Sequence, residues 1–178
     1  VPTSHAKDIG VIFDHHLQLD QHISSICCAA SRALWRISKL SQYLDPPNLE
    51  KLVHAFVSSR LDYCNALFIG LPAYQMKRLQ LLQNSAARLI THTRKFDHIT
   101  PVLESLHWLP VKYRVTFKLL LLTYKALNGL SPKYISELIQ YRPTPRSLRS
   151  AAHELLLQPK TLTKTYGDRS FEAAAPRL

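Results

Sequence analysis

The chain has 178 residues, 46% of them hydrophobic, and its 23 Lys and Arg against 12 Asp and Glu give a formal net charge of +11. That length and apolar content suffice for one domain with its own core, and the positive excess favours a polyanionic partner, either nucleic acid or an acidic lipid surface. Charges interrupt every apolar stretch before the roughly 20 residues that a spanning helix needs and no secretory layout opens the chain, so a soluble intracellular protein, nuclear or cytoplasmic, with no membrane partner is expected.

In chain order, "KDIGVIFD" alternates Ile9, Val11 and Phe13 with Gly10 and Ile12, which predicts a strand over 8–13. A strand without a partner is not stable alone. Its partner is expected in "ELLLQP" at 154–159 or in residues outside the chain. From Asp20 the spacing of Ile23, Ile26, Cys27, Ala30, Leu34, Ile37 and Leu40 is helical until "YLDPPN" breaks it. A second helix starts at Pro46 or Pro47 and should bury Leu49, Leu52, Val53, Phe56 and Val57, weakening before Gly70 and Pro72. A third, about 72–92, turns Leu79, Leu82, Ala86 and Ile90 inward, and a short fourth follows Thr100-Pro101. The fifth runs from Pro110 to Asn128 with Gly129 as its left-handed cap, and a sixth begins in "SPKYISELI" with Ser131 as cap and Pro132 in the first turn. "YRPTPRSLRS" reads as an exposed linker, and the tail as a short strand, a basic turn and the start of a helix. With Val1 in place of a methionine and a helical run against Leu178, the chain is expected to be a piece of a longer one.

On the fifth helix, Tyr113, Phe117, Leu120, Leu121 and Tyr124 form one apolar stripe and Val115, Leu119, Leu122 and Ala126 another, so burial on two sides is expected. Arg114, Lys118 and Lys125 lie between them along one edge. On the third helix Lys77, Leu81, Asn84 and Arg88 share the face opposite the apolar stripe, and Arg94 and Lys95 extend the positive zone into the next loop. Such ridges either solvate an exposed helix face or neutralise phosphates. Two of them on so basic a chain favour nucleic acid. Trp35, Tyr63, Tyr74, Trp108, Tyr113 and Tyr124 stand among this charge, either as core residues or as stacking surfaces for bases.

Nothing in the sequence assembles a catalytic constellation or a cofactor site. The four glycines form no phosphate-cradling loop. Cys27, Cys28 and Cys64 suit neither a disulfide framework nor zinc and read as reduced thiols. His92 and His98 around Asp97 make the nearest thing to a ligand cluster, with a solvated turn as the simpler alternative. Cys64 with His54 or His107 is a conceivable nucleophile pair, yet its leucine-rich surroundings suit a small buried hydrophobe. Asp8 and Asp14 bracket the strand and bind a metal only with help from elsewhere.

The words "KDIGVIFDHHLQLDQHI", "LVHAFVSSRLDYCNALFIGLP", "LQLLQNSAARLITHTRKFDHITPVLESLHWLPVKYRVTFKLLLLTYKALNGLSPKYISELI" and "SLRS" followed by "TKTYGDRSFEAAAPRL" together resemble the C-terminal part of the reverse transcriptase of LINE-type, non-LTR retrotransposons, in particular the CR1, L2 and jockey-like group. The resemblance implies a mainly α fold: a thumb-like helical bundle with a short N-terminal β-strand left from a palm subdomain and an irregular basic tail. Residues 1–14 would then be the last palm strand, 15–140 the thumb-like and following helical domain, and 141–178 a basic linker and truncated C-terminal segment. It implies sequence-nonspecific contact with an RNA/DNA hybrid or duplex through Lys77, Arg88, Arg94, Lys95, Arg114, Lys118 and Lys125, beside a palm and fingers polymerase domain. The family's Ala-Asp-Asp type motif is absent here, so no catalytic or metal-binding carboxylate carries over and the chain by itself should neither polymerise nor cut. A retroelement-derived helical module that binds a protein partner is the alternative.

Overall fold

A computed structural model describes residues 4–142, 155–163 and 165–178. The expected mainly helical architecture with β structure at the N-terminus is present. The chain divides into two compact units, 1–114 and 115–178, and the division falls within one helix.

The first unit opens with a β-hairpin in which β1 (His5–Asp8) pairs antiparallel with β2 (Val11–Asp14), His5 opposite Asp14 and Asp8 opposite Val11. The expected lone strand over 8–13 is therefore two strands, with the partner just upstream of it rather than at 154–159. Apolar alternation across Ile9-Gly10 hides the turn. Both residues have positive φ, 43° and 81°, as two-residue hairpin turns of the I′ kind require. Gly10 adopts this freely whereas Ile9 is β-branched and unsuited to it. The Tyr63 hydroxyl donates to the Ile9 carbonyl and holds the turn.

Asp14 then organises the passage into the first helix. Its carboxylate accepts the backbone N–H of Gln18 at 3.0 Å and of Leu19 at 2.6 Å, across a connection in which Leu17 and Leu19 both take positive φ. Partial burial by itself would raise the Asp14 pKa, but these N–H bonds hold it below the ordinary carboxylate value. The carboxylate is thus a turn-capping group, not the metal ligand considered from sequence.

Helix α1 (Asp20–Leu40) buries Ile23, Ile26, Ala30, Leu34 and Ile37, while Cys27 is half-buried and Leu40 exposed. The next rod begins as α2 (Pro46–Val53), widens into a π-helical turn at His54–Ser58 and ends as α3 (Ser59–Asp62). Its core residues Leu49, Val53, Val57 and Leu61 recur every fourth position, a spacing that drifts about 40° per step on a 3.6-residue helix. One wider i→i+5 turn winds the stripe back, so all four stay inside. The same turn swings Phe56 outward to 49% exposure, against the expectation from α-helical spacing that it is buried.

Helix α4 (Ala73–Thr91) packs on α1, α2 and α5 (Thr100–Ser105) through Leu79, Leu82, Ala86, Ala87 and Ile90. At its start Tyr74 Oη donates to Asp20 at 3.0 Å and Arg78 to Ser24 at 3.0 Å, tying it to α1. Gln83 and Gln80 link α4 to the start of the next helix. The Gln83 Nε2 donates to the Leu109 carbonyl at 2.8 Å, and Gln80 donates to Gln83 at 2.9 Å while accepting the Val111 N–H at 2.9 Å. That last bond satisfies one of the amides that every helix N-terminus leaves open.

Helix α6 (Val111–Leu127) crosses the division and is followed by Gly129 at φ 67°, with Leu130 N–H bonded to the Lys125 carbonyl in the expected left-handed cap. Burial on two sides does not occur: Val115, Leu119 and Ala126 are buried, while Phe117 and Tyr124 are 57% and 60% exposed and Leu120 is also exposed. In the second unit Ala126, Ile139 and Ala175 form a small core with Leu127, Ile135, Leu156 and Phe171. Helix α7 (Lys133–Ser136) starts one residue later than expected, with Pro132 rather than Ser131 at the cap position; the Ser131 hydroxyl instead bonds that of Ser136 at 2.8 Å. Tyr141 bridges Leu156, and α8 (Phe171–Ala174) is capped by Ser170, whose hydroxyl accepts the Ala173 N–H. Of the expected exposed linker over 141–150, Tyr141 and Arg142 pair with Leu156 and Leu155, and 143–150 lies outside the described residues.

Candidate nucleic-acid interface

The residues expected from sequence to contact phosphate divide by what their side chains already hold. In the first unit Lys77 is exposed and makes no ion pair among the described residues. Arg88 is half-buried and donates to the carbonyls of Arg94 at 3.3 Å and Asp97 at 3.2 Å, so its guanidinium braces the loop after α4. The same loop is closed by Asp97, which accepts the Arg94 N–H at 3.1 Å; the carboxylate between His92 and His98 therefore serves the turn. Arg94 and Lys95 project from it, both exposed, with Lys95 Nζ 5.7 Å from the Phe96 ring centre. Arg114 is held internally, by an ion pair with Asp62 at 2.7 Å and a bond from Nε to the Leu109 carbonyl at 3.0 Å. In the second unit Lys118 and Lys125 are exposed and make no ion pair among the described residues.

A basic surface that sequence reasoning passed over lies on α1. The turn of 100° per residue that buries Ile23, Ala30 and Ile37 displays Ser24, Ser25, Ser31, Arg32, Trp35, Arg36 and Lys39 to solvent. Asp20 is the only carboxylate of the helix and stands at its opposite end. Lys39 Nζ lies 5.5 Å from the Trp35 ring centre, within cation–π range. Arg60, exposed on α3, lines one hollow with Arg32 and Arg36 and a second, of about 470 Å³, with Lys7, Ser25, Ser59 and Tyr63. The two hollows share Ala29 and Arg60, which makes the zone from Lys7 to Arg36 continuous. The spacing of Arg32 and Arg36, one turn apart, was the signal in the sequence. It was masked because α1 shows its apolar spacing more strongly than its polar one.

Chemically, this surface offers positive charge, hydroxyl donors and one flat aromatic, a set suited to phosphate and sugar oxygens. His22 beside it is buried, its Nε2 has no hydrogen-bond partner among the described residues, and burial lowers its pKa. Among the described residues, no group of three or more His, Cys, Asp and Glu is placed to hold a metal ion, and no helix is long and apolar enough to cross a membrane. No family model matches this chain, and no significant match emerges among curated proteins or solved structures.

Proposed function

We propose that this chain is a non-catalytic C-terminal fragment of a non-LTR retrotransposon reverse transcriptase that holds primer–template nucleic acid, an RNA/DNA hybrid or duplex, by its backbone and without sequence preference. The observation that carries the reading is the exposed face of α1, where Arg32, Arg36 and Lys39 stand with serine hydroxyls and no carboxylate. Ser24 to Lys39 extends about 22 Å at 1.5 Å per residue, enough to follow several phosphates along one strand. Backbone contacts of this kind position a duplex and carry no base information. Lys77, Arg94 and Lys95 add exposed charge in the same unit and Lys118 and Lys125 in the other, whereas Arg88 and Arg114 act inside the protein. Filter binding of a hybrid oligonucleotide at two ionic strengths tests the reading: binding at low salt that collapses at high salt is expected, and no binding at low salt sinks it.

A second reading, a retroelement-derived helical module that binds protein, is favoured by the exposed apolar residues Leu81 on α4 and Phe117, Leu120 and Tyr124 on α6. It predicts self-association or partner binding that survives high salt.

A further inference from the structure

We infer that the groove between α1 and the π-helical turn is a docking site for an acidic amphipathic helix of a partner protein. The groove encloses about 420 Å³ within the first unit. Its floor is apolar, made by Ala29, Ala33 and Ile37 of α1 facing Leu52 and Phe56 of the opposite rod, and its rim carries Arg32, Arg36 and Arg60. Among the described residues, no carboxylate lines it.

Length, charge and backbone geometry define the occupant. Along α1 the groove runs from Ala29 to Leu40, about 16 Å at 1.5 Å per residue, which is three turns of helix and matches the i, i+4, i+7 and i+11 anchors of a helix laid in a groove. Small alanines on the floor allow close approach, and Phe56 supplies an aromatic wall beside Leu52. Two guanidiniums are fixed by Nε alone, Arg32 on the Cys28 carbonyl at 3.3 Å and Arg60 on the Phe56 carbonyl at 3.1 Å, so their Nη groups face outward without hydrogen-bond partners among the described residues. Three arginines with no ion pair among the described residues, set around an apolar floor, select carboxylates flanking an apolar stripe and repel a basic helix. Phe56 reaches the surface because the π turn puts it there; in an α-helical continuation it would face inward, and π turns recur at functional positions. The rim arginines are shared with the proposed nucleic-acid surface, whereas the apolar floor offers nothing to a sugar-phosphate chain and is what the helix would use.

The test uses the full chain and a fluorescein-labelled synthetic 15-residue peptide with leucines at i, i+4, i+7 and i+11 flanked by glutamates, followed by anisotropy. Micromolar binding is expected, weakened at least tenfold by Phe56→Asp and by Phe56→Ala, and absent for a peptide of the same composition in scrambled order. Phe56 is about half exposed, so both variants should still melt cooperatively, at a somewhat lower temperature than the parent. Hybrid oligonucleotide binding should be unchanged by Phe56→Ala, which alters no charge, while Arg36→Glu weakens both ligands, so failure here and failure of the nucleic-acid reading are distinguishable. No peptide binding, equal binding of the scrambled peptide, or peptide binding indifferent to both Phe56 variants overturns the inference. Loss of oligonucleotide rather than peptide affinity in Phe56→Ala also overturns it, assigning the groove to nucleic acid.

Discussion

Removing the three charges of the α1 face, in the triple variant Arg32→Gln, Arg36→Gln, Lys39→Gln, gives the sharpest measure of the proposed interface. All three side chains are exposed and none is in an ion pair among the described residues, so the substitutions should shift stability by no more than about 0.5 kcal/mol each. Each neutralised phosphate contributes about −0.9 to the slope of log affinity against log salt, so the variant should flatten that slope by about 2.7. Between about 50 and 200 mM salt, about 40-fold of the parent's loss of affinity then disappears. Anisotropy of a labelled RNA/DNA hybrid across that salt range reads the slope directly. Arg114→Gln is the matched control: its charge is already paired with Asp62, so the slope should stay within about 0.5 of the parent while stability drops by less than about 1 kcal/mol. An unchanged slope in the triple variant, or an equal change in Arg114→Gln, would refute the assignment of phosphate contacts to α1.

Further outcomes follow from the fold. Ile9→Asn should raise stability by about 1 kcal/mol in urea unfolding, because the Ile9 φ of 43° costs a β-branched residue about 1–2 kcal/mol that asparagine largely avoids. Gln80→Leu should cost about 1–3 kcal/mol by leaving the Val111 N–H unpaired at the start of α6, again measured in urea. At His22, whose folded pKa is lowered by burial, the unfolded chain takes up a proton below about the ordinary value of 6.5 that the folded chain refuses. Stability should therefore be complete above that pH and fall as the pH drops below it, and His22→Leu should remove this component without loss at neutral pH, since Nε2 has no partner to lose. Asp14 acts in a lower window: its depressed pKa contributes stability above the unfolded value, given up as pH falls through the folded one, and Asp14→Ala should remove that acid-range component from the melting profile.

Helices whose signals are local were legible before any tertiary contact was known. Asp20–Leu40, Ala73–Thr91 and Val111–Leu127 follow from apolar periodicity bounded by prolines or, for α6, by Gly129, because helix hydrogen bonds and side-chain faces depend on neighbours three and four residues away. Hairpin and π turn were not legible in that way. Ile9 continues the alternation where the chain reverses, and the four-residue stripe from Leu49 to Leu61 stays buried only through a change of helix type that α-helical periodicity does not encode. Burial was the other decision left to tertiary structure. Two apolar stripes on α6 look equivalent in sequence, yet only one is covered, since burial depends on what a distant part of the chain lays against it. The basic residues divide for the same reason: Arg88 and Arg114 meet carbonyls and a carboxylate brought in from other segments, whereas Arg32, Arg36 and Lys39 meet no acid among the described residues. Spacing fixes the direction in which a charge points along its own helix. What stands opposite that charge is fixed by packing, and there the α1 face and its groove were decided.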